Sequence, residues 1–175
     1  PPVVTGYLLL LTLGTKGPVG AWLHDTFGIV LAFRWTGAVV AAAVMGFPLM
    51  VRAIRLSLES VDWRLESAAA TLGTNRFFVF VTITLPLIVP GLIAGTILSF
   101  AKGLGEFGAT ITFVSNIPGE TRTLPIAIYS FLQVPGSEGA ATRLTVIAVT
   151  VSMLALVASE ILARRAARKL HGANA

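Results

Sequence analysis

Glu106 stands between glycines 105 and 108 in the stretch GLGEFGATITFVSN, and Thr110, Thr112, Ser115 and Asn116 follow it. One carboxylate and a series of neutral hydrogen-bonding groups offer the chemistry of a polar pathway: donors for a passing cargo, with no covalent step. A carboxylate buried near a membrane is costly and is usually paired or functional. Two plainer readings stay open beside it. Glu106 is an exposed interfacial charge, or the hydroxyl and amide groups simply bond helix to helix.

A second constellation lies upstream. Arg55, Glu59, Asp62 and Glu66 recur at spacings of four and three. Arg55 and Glu59 are one helical turn apart and can pair, at a few tenths of a kcal/mol. Asp62 and Glu66 are like charges at the same spacing, which is mildly destabilising. An acidic edge kept despite self-repulsion points to a basic partner surface.

Catalysis has no comparable candidate. The apolar stretches hold no paired carboxylates and no Ser/His/Asp arrangement, which argues against a membrane-embedded enzyme. His24 and His171 are far apart and lack a metal-ligand pattern; His24 beside Asp25 reads as an interfacial pair. There is no Gly-x-x-x-x-Gly-Lys-Ser/Thr phosphate loop, so the chain is not expected to bind ATP. There are no cysteines, which removes disulfides and Cys-based metal or redox sites.

The elements that position these groups lie in a membrane. The chain of 175 residues is 55% hydrophobic and only 12% charged, with a mean hydropathy of +0.84. Soluble proteins carry roughly 25% charged residues. The net charge of +5 is not a nucleic-acid footprint: Arg164, Arg165, Arg168 and Lys169 crowd behind the last apolar run, as on a cytoplasmic membrane flank. A spanning helix needs about 20 mostly apolar residues. The candidates are a short stretch at Pro1–Leu13, then Ile29–Val51, Phe77–Phe100 and Leu144–Leu162. Irregular or weakly apolar segments are expected at 14–28 and 101–143. With no internal repeat or linker, residues 1–175 read as one domain. The start, PPVV inside an apolar run, reads as a chain that has lost its N-terminal part.

Orientation follows the basic residues of the short loops. Arg52, Arg55, Arg64 and Arg76 lie between the second and third candidates, and four basic residues lie in the tail. Both belong in the cytoplasm on this reading, with 14–28 and much of 101–143 outside.

Between Arg52 and Leu72 the spacing predicts one helix. Ile54, Leu58, Val61, Leu65, Ala68 and Leu72 draw a single apolar stripe. Ala68, Ala69 and Ala70 give a surface that a partner can approach closely, and Gly73 suits a left-handed helix end. The alternative is an amphipathic helix lying on lipid, as in a structural or assembly protein. Such helices usually have a Lys/Arg-rich polar face, whereas this edge is mostly acidic. Beyond it, Pro86 and Pro90 suit a kinked membrane helix. Gly91 and Gly95 form a Gly-x-x-x-Gly pair, a helix-packing pattern also common by chance.

Ser67-Ala68-Ala69, Gly73 and Ile83-Thr84-Leu85-Pro86 fit the spacing of a signature shared by the membrane subunits of binding-protein-dependent ABC importers. The chain resembles that family. Ser67 departs from it: the family has Glu there, and here Glu66 stands one residue earlier. Any contact made by that acid is therefore altered or supplied by Glu66. The stretch GLGEFGATITFVSNIPGETRTLP and residues 41–59 are similar to the molybdate branch of the family. Sulfate and thiosulfate members share the layout and a Gly-Glu-aromatic-Gly pattern but match less well over 116–125.

The resemblance implies an all-α, polytopic transmembrane bundle of the type I importer fold with a cytoplasmic coupling helix. It implies five spans in the intact subunit, one of them missing here. The signature carries over Ser67, Ala68, Ala69 and Gly73 as coupling residues; the acidic edge adds Glu59, Asp62 and Glu66, and the polar turn adds Arg76. The implied partners are a second permease copy, separate ATP-binding subunits that use ATP-Mg, and a periplasmic molybdate-binding protein. The implied location is the inner membrane. The chain itself is expected to bind no cofactor.

Overall fold

The structure, a computed structural model, describes residues 1–71 and 73–172; for residues 66, 70, 159, 163 and 165–172 it describes the backbone alone. Among the described residues there are helices and no strands. In chain order they are α1 (Pro2–Leu13), α2 (Pro18–Phe27), α3 (Trp35–Glu59), α4 (Trp63–Thr71), α5 (Arg76–Val79), a π-helical turn (Phe80–Thr84), α6 (Leu85–Leu104), α7 (Gly108–Val114), α8 (Leu124–Leu132) and α9 (Glu138–Gly172). The fold is all-α.

Among the described residues, three stretches are long and apolar enough to cross a membrane: Trp35–Glu59, the continuous run Arg76–Leu104, and Glu138–Leu162 within α9. They have 25, 29 and 25 residues. At 1.5 Å per residue even the shorter ones reach about 37 Å, against a hydrocarbon core of about 30 Å. At 12 residues α1 is too short to do so. The second span starts at Trp35 rather than Ile29. Gly28, at φ 67°, closes α2 in the left-handed conformation, and Phe33, at φ 58°, keeps the backbone out of a helix until Trp35. The segments expected to be irregular hold α2, α7 and α8, and α9 begins at Glu138, before Leu144. Helices of 7 to 10 residues are shorter than the window that reveals a span.

Two compact units emerge, each assembled from two chain segments. The first comprises residues 1–46 and 100–153. Its core is Ala32, Ala41, Ala109, Phe113 and Val114, with Leu9, Leu10, Leu13 and Leu31 packed around it. Helix α1 packs on α7 at very short range. A Cβ on Gly6 would lie 2.5 Å from the Ala109 carbonyl oxygen, so only glycine permits this approach.

The second unit comprises the described residues of 47–99 and 154–172. Here the Gly-x-x-x-Gly pair finds its partner within the chain. Gly95 faces Ala53 and Met50 of α3, and Gly91 faces Ser57. Small residues on both helices let the backbones approach closely. Just before α6, the π turn carries an i→i+5 bond from Leu85 N–H to Phe80 O. Pro86 follows at once and supplies no N–H, which favours such irregularity.

Candidate functional site

The expected continuous helix from Arg52 to Leu72 is interrupted. Helix α3 ends at Glu59, and α4 starts at Trp63. The cause lies in side chains that compete with the helical ladder. Ser60 Oγ donates to the Ser57 carbonyl at 2.7 Å. Asp62 Oδ1 accepts from the Arg64 backbone N–H at 2.9 Å, in the manner of a helix N-cap. The apolar stripe therefore does not lie along one rod, and Asp62 and Glu66 are not i, i+4 neighbours on one helix.

Helix α4 is short and exposed. Ser67 Oγ donates to the Trp63 carbonyl at 3.0 Å, and Thr71 Oγ1 to the Ala68 carbonyl at 2.7 Å. Both hydroxyls are thus bonded within their own helix. Ala68 is exposed and Ala69 half-buried. The Glu66 side chain, the Ala70 side chain and Leu72 lie outside the described residues. Gly73 has φ 77°, and a Cβ there would meet nothing within 4 Å. Its requirement is conformational rather than spatial. Asn75 then caps α5, its Oδ1 accepting from the Phe77 N–H at 3.1 Å. Arg76, exposed, is the first residue of the long span. Asp62 caps the start of α4, and the left-handed Gly73 and the Asn75 cap of α5 lie between that helix and the membrane-crossing run. Glu59 lies apart from it, at the end of α3, and pairs with Arg55 Nε at 2.8 Å.

The segment around Glu106 is ordered differently. The Glu106 side chain is 2% exposed. Its Oε2 lies 3.2 Å from Lys102 Nζ, and its Oε1 accepts from the Ala109 N–H at 3.0 Å. The carboxylate therefore ties the last turn of α6 to the first turn of α7. Burial with both oxygens engaged displaces the reading of an exposed interfacial charge. Thr110 is buried as well, and the Thr112 hydroxyl donates to the Gly108 carbonyl at 2.7 Å.

Ser115 and Asn116 belong to the loop after α7. Ser115 is exposed at φ 65°, and its carbonyl accepts from Thr121 Oγ1 at 3.2 Å. Asn116 donates to Ser130 Oγ at 2.8 Å and accepts from Arg122 Nε at 2.8 Å. Thr121 Oγ1 also accepts from the Ile117 N–H at 2.9 Å, closing a turn through Pro118 and Gly119. The five polar residues thus form two groups. Glu106, Thr110 and Thr112 sit in or beside α7, and Ser115 and Asn116 hold the loop.

Sequence reasoning missed Lys102, Arg122, Thr121 and Ser130. Lys102 was findable, since it lies four residues before Glu106. The Pro118–Gly119 pair signals a turn that brings Arg122 back toward Asn116. The spacing of fourteen between Asn116 and Ser130 carries no such signal.

The sequence matches the family of binding-protein-dependent transport system inner membrane components over residues 1–168. It is 63% identical over 164 residues to the molybdenum transport system permease protein ModB of Escherichia coli K12, covering 94% of this chain and 72% of that protein. The protein of the same name from Haemophilus influenzae is 55% identical over 174 residues, covering 99% of this chain and 76% of that one. Sulfate permease 2, chloroplastic, of Chlamydomonas reinhardtii is 41% identical over 155 residues, covering 89% of this chain and 41% of that protein.

Proposed function

This chain belongs to the family of binding-protein-dependent transport inner membrane components, and from that premise we propose that it is the permease subunit of an ATP-driven importer of molybdate, with tungstate as a further candidate cargo. The observation that carries the coupling role is α4, capped at Asp62 and delivered through Gly73 and Asn75 into the Arg76–Leu104 span. The 63% identity to a molybdenum permease supports the cargo.

In this reading the whole of residues 1–175 works as one transmembrane domain, and two copies form the pathway. Separate ATP-binding subunits grip α4 through Ser67, Ala68 and Ala69, with Asp62 and Glu66 on the same segment, Gly73 and Arg76 just beyond it, and Glu59 at the end of α3. The α4 segment and the basic tail face the cytoplasm, and a periplasmic protein delivers the oxyanion outside. ATP binding draws the ATPases together, and α4 carries that displacement into the span, biasing a two-state element at a distance from the cargo. Glu106, Thr110, Thr112, Ser115 and Asn116 border the polar route. This chain holds no cofactor of its own; ATP-Mg serves the partner subunit.

The test is uptake into proteoliposomes holding this permease with its ATP-binding subunit and binding protein. ATP-dependent molybdate uptake that excess sulfate fails to inhibit is the expected result. Full competition by sulfate favours the second reading, a sulfate or thiosulfate permease, which the 41% identity to a sulfate permease keeps in view. Recovery of the chain from membranes without any ATPase partner would instead support a structural or assembly role.

A further inference from the structure

Helix α3 uses its two faces unequally. Met50, Ala53 and Ser57 face Gly91 and Gly95. The opposite face bears a groove of about 590 Å³, lined by Phe47, Val51, Arg52, Arg55, Leu56 and Glu59. Phe47 is 66% exposed and Leu56 56%. The apolar run of this span ends at Val51, and Arg52 opens its charged end. The groove therefore straddles the level where hydrocarbon gives way to headgroups.

Its charges are unevenly satisfied. Arg55 gives Nε to Glu59 at 2.8 Å, and the rest of its guanidinium fork remains available. Arg52 makes no ion pair among the described residues. With Glu59 counted, the groove carries one positive charge in excess. An occupant must then be apolar at the Phe47 end and anionic at the Arg52 end. A phospholipid with a net negative headgroup has that shape and charge, and basic pockets beside spans on the cytoplasmic side suit such headgroups.

We propose that the Phe47–Glu59 face of α3 is a binding site for one anionic phospholipid, its phosphodiester between Arg52 and Arg55 and an acyl chain along Val51 and Phe47. The site rests on the membrane-spanning role of α3 and on the cytoplasmic placement of Arg52 and Arg55 by the positive-inside rule. It does not depend on which cargo is carried, so its failure and a failure of the transport reading are separable.

The test is native mass spectrometry of the full-length permease, purified in mild detergent and equilibrated with a mixture of phosphatidylglycerol and phosphatidylcholine. One phosphatidylglycerol retained per permease copy is expected. Arg52→Gln with Arg55→Gln should reduce that retention at least several-fold. Arg64→Gln, in the same basic loop but off the groove, should leave it unchanged. Leu56→Trp, which fills the groove and keeps both arginines, should also release the lipid. Equal retention of the two lipids, or undiminished retention in both groove variants, would overturn the proposal. So would cross-linking of position 56 to a second permease copy or an ATP-binding subunit in native membranes.

Discussion

Lys102 Nζ lies 3.2 Å from Glu106 Oε2, one helical turn away, while the carboxylate is 2% exposed and the lysine 43%. The pair joins a half-wet cation to a dry anion at the corner between α6 and α7. Glu106→Ala leaves the Ala109 N–H without its acceptor and Lys102 without its counter-ion. A loss of about 2 kcal/mol is expected, discounted for the exposed lysine. Thermal melts in detergent should show it. Glu106→Gln, which still accepts from Ala109, should lose less. If Gln keeps full stability and molybdate uptake still collapses, Glu106 serves the pathway itself; unchanged uptake reduces it to a corner brace.

Asp62 offers a way to separate capping from docking. Asp62→Ala should cost about 1 kcal/mol through loss of the N-cap. Asp62→Asn keeps an acceptor for the Arg64 N–H and should retain both stability and ATP-driven uptake. Uptake lost in the Asn variant, with an unchanged melting curve, would mean that the negative charge meets the ATPase directly.

Gly73 has open space around it and a left-handed backbone. Gly73→Asn should be tolerated, and Gly73→Val should cost about 1–2 kcal/mol locally. The Val variant should stay in the membrane and hydrolyse ATP with its partners while molybdate uptake falls. Uptake equal to the parent protein would count against a coupling role for α4.

Gly91 and Ser57 are too close for even one added methyl group. Gly91→Ala should destabilise by about 1–3 kcal/mol through overpacking. Adding Ser57→Gly, which removes the opposing atoms, should recover part of that loss beyond the sum of the single changes. Strict additivity in a double-mutant cycle would contradict the close approach of α3 and α6.

Composition alone made the membrane legible, and the Arg55–Glu59 pair and the glycine helix end at position 73 were legible from spacing. The break at residues 60–62 was not. The 4-3-4-3 apolar spacing runs on through Val61 whether or not the backbone does, because periodicity records which side chains are apolar and not which hydroxyl or carboxylate captures a backbone group. Burial of Glu106 was open for a related reason. A lone acid among glycines gives no sign of depth, and the tertiary packing that leaves Glu106 2% exposed is not written in its local spacing. The role of Gly91 and Gly95 stayed ambiguous because a Gly-x-x-x-Gly pattern does not say whether its partner helix lies in the same chain.

The π turn at Phe80–Thr84 has a consequence for how the long span is read. Widening one turn from i→i+4 to i→i+5 accommodates an extra residue, and one residue is about 100° of rotation about the helix axis. Residues 76–79 and residues from 85 onward are therefore out of phase with each other. A helical wheel drawn at one period through the whole run would assign the lipid-facing and protein-facing sides of its first turn wrongly. Deleting a single residue at 80–84 would swing the α4 end around the span like a bent key, without shortening the membrane-crossing part.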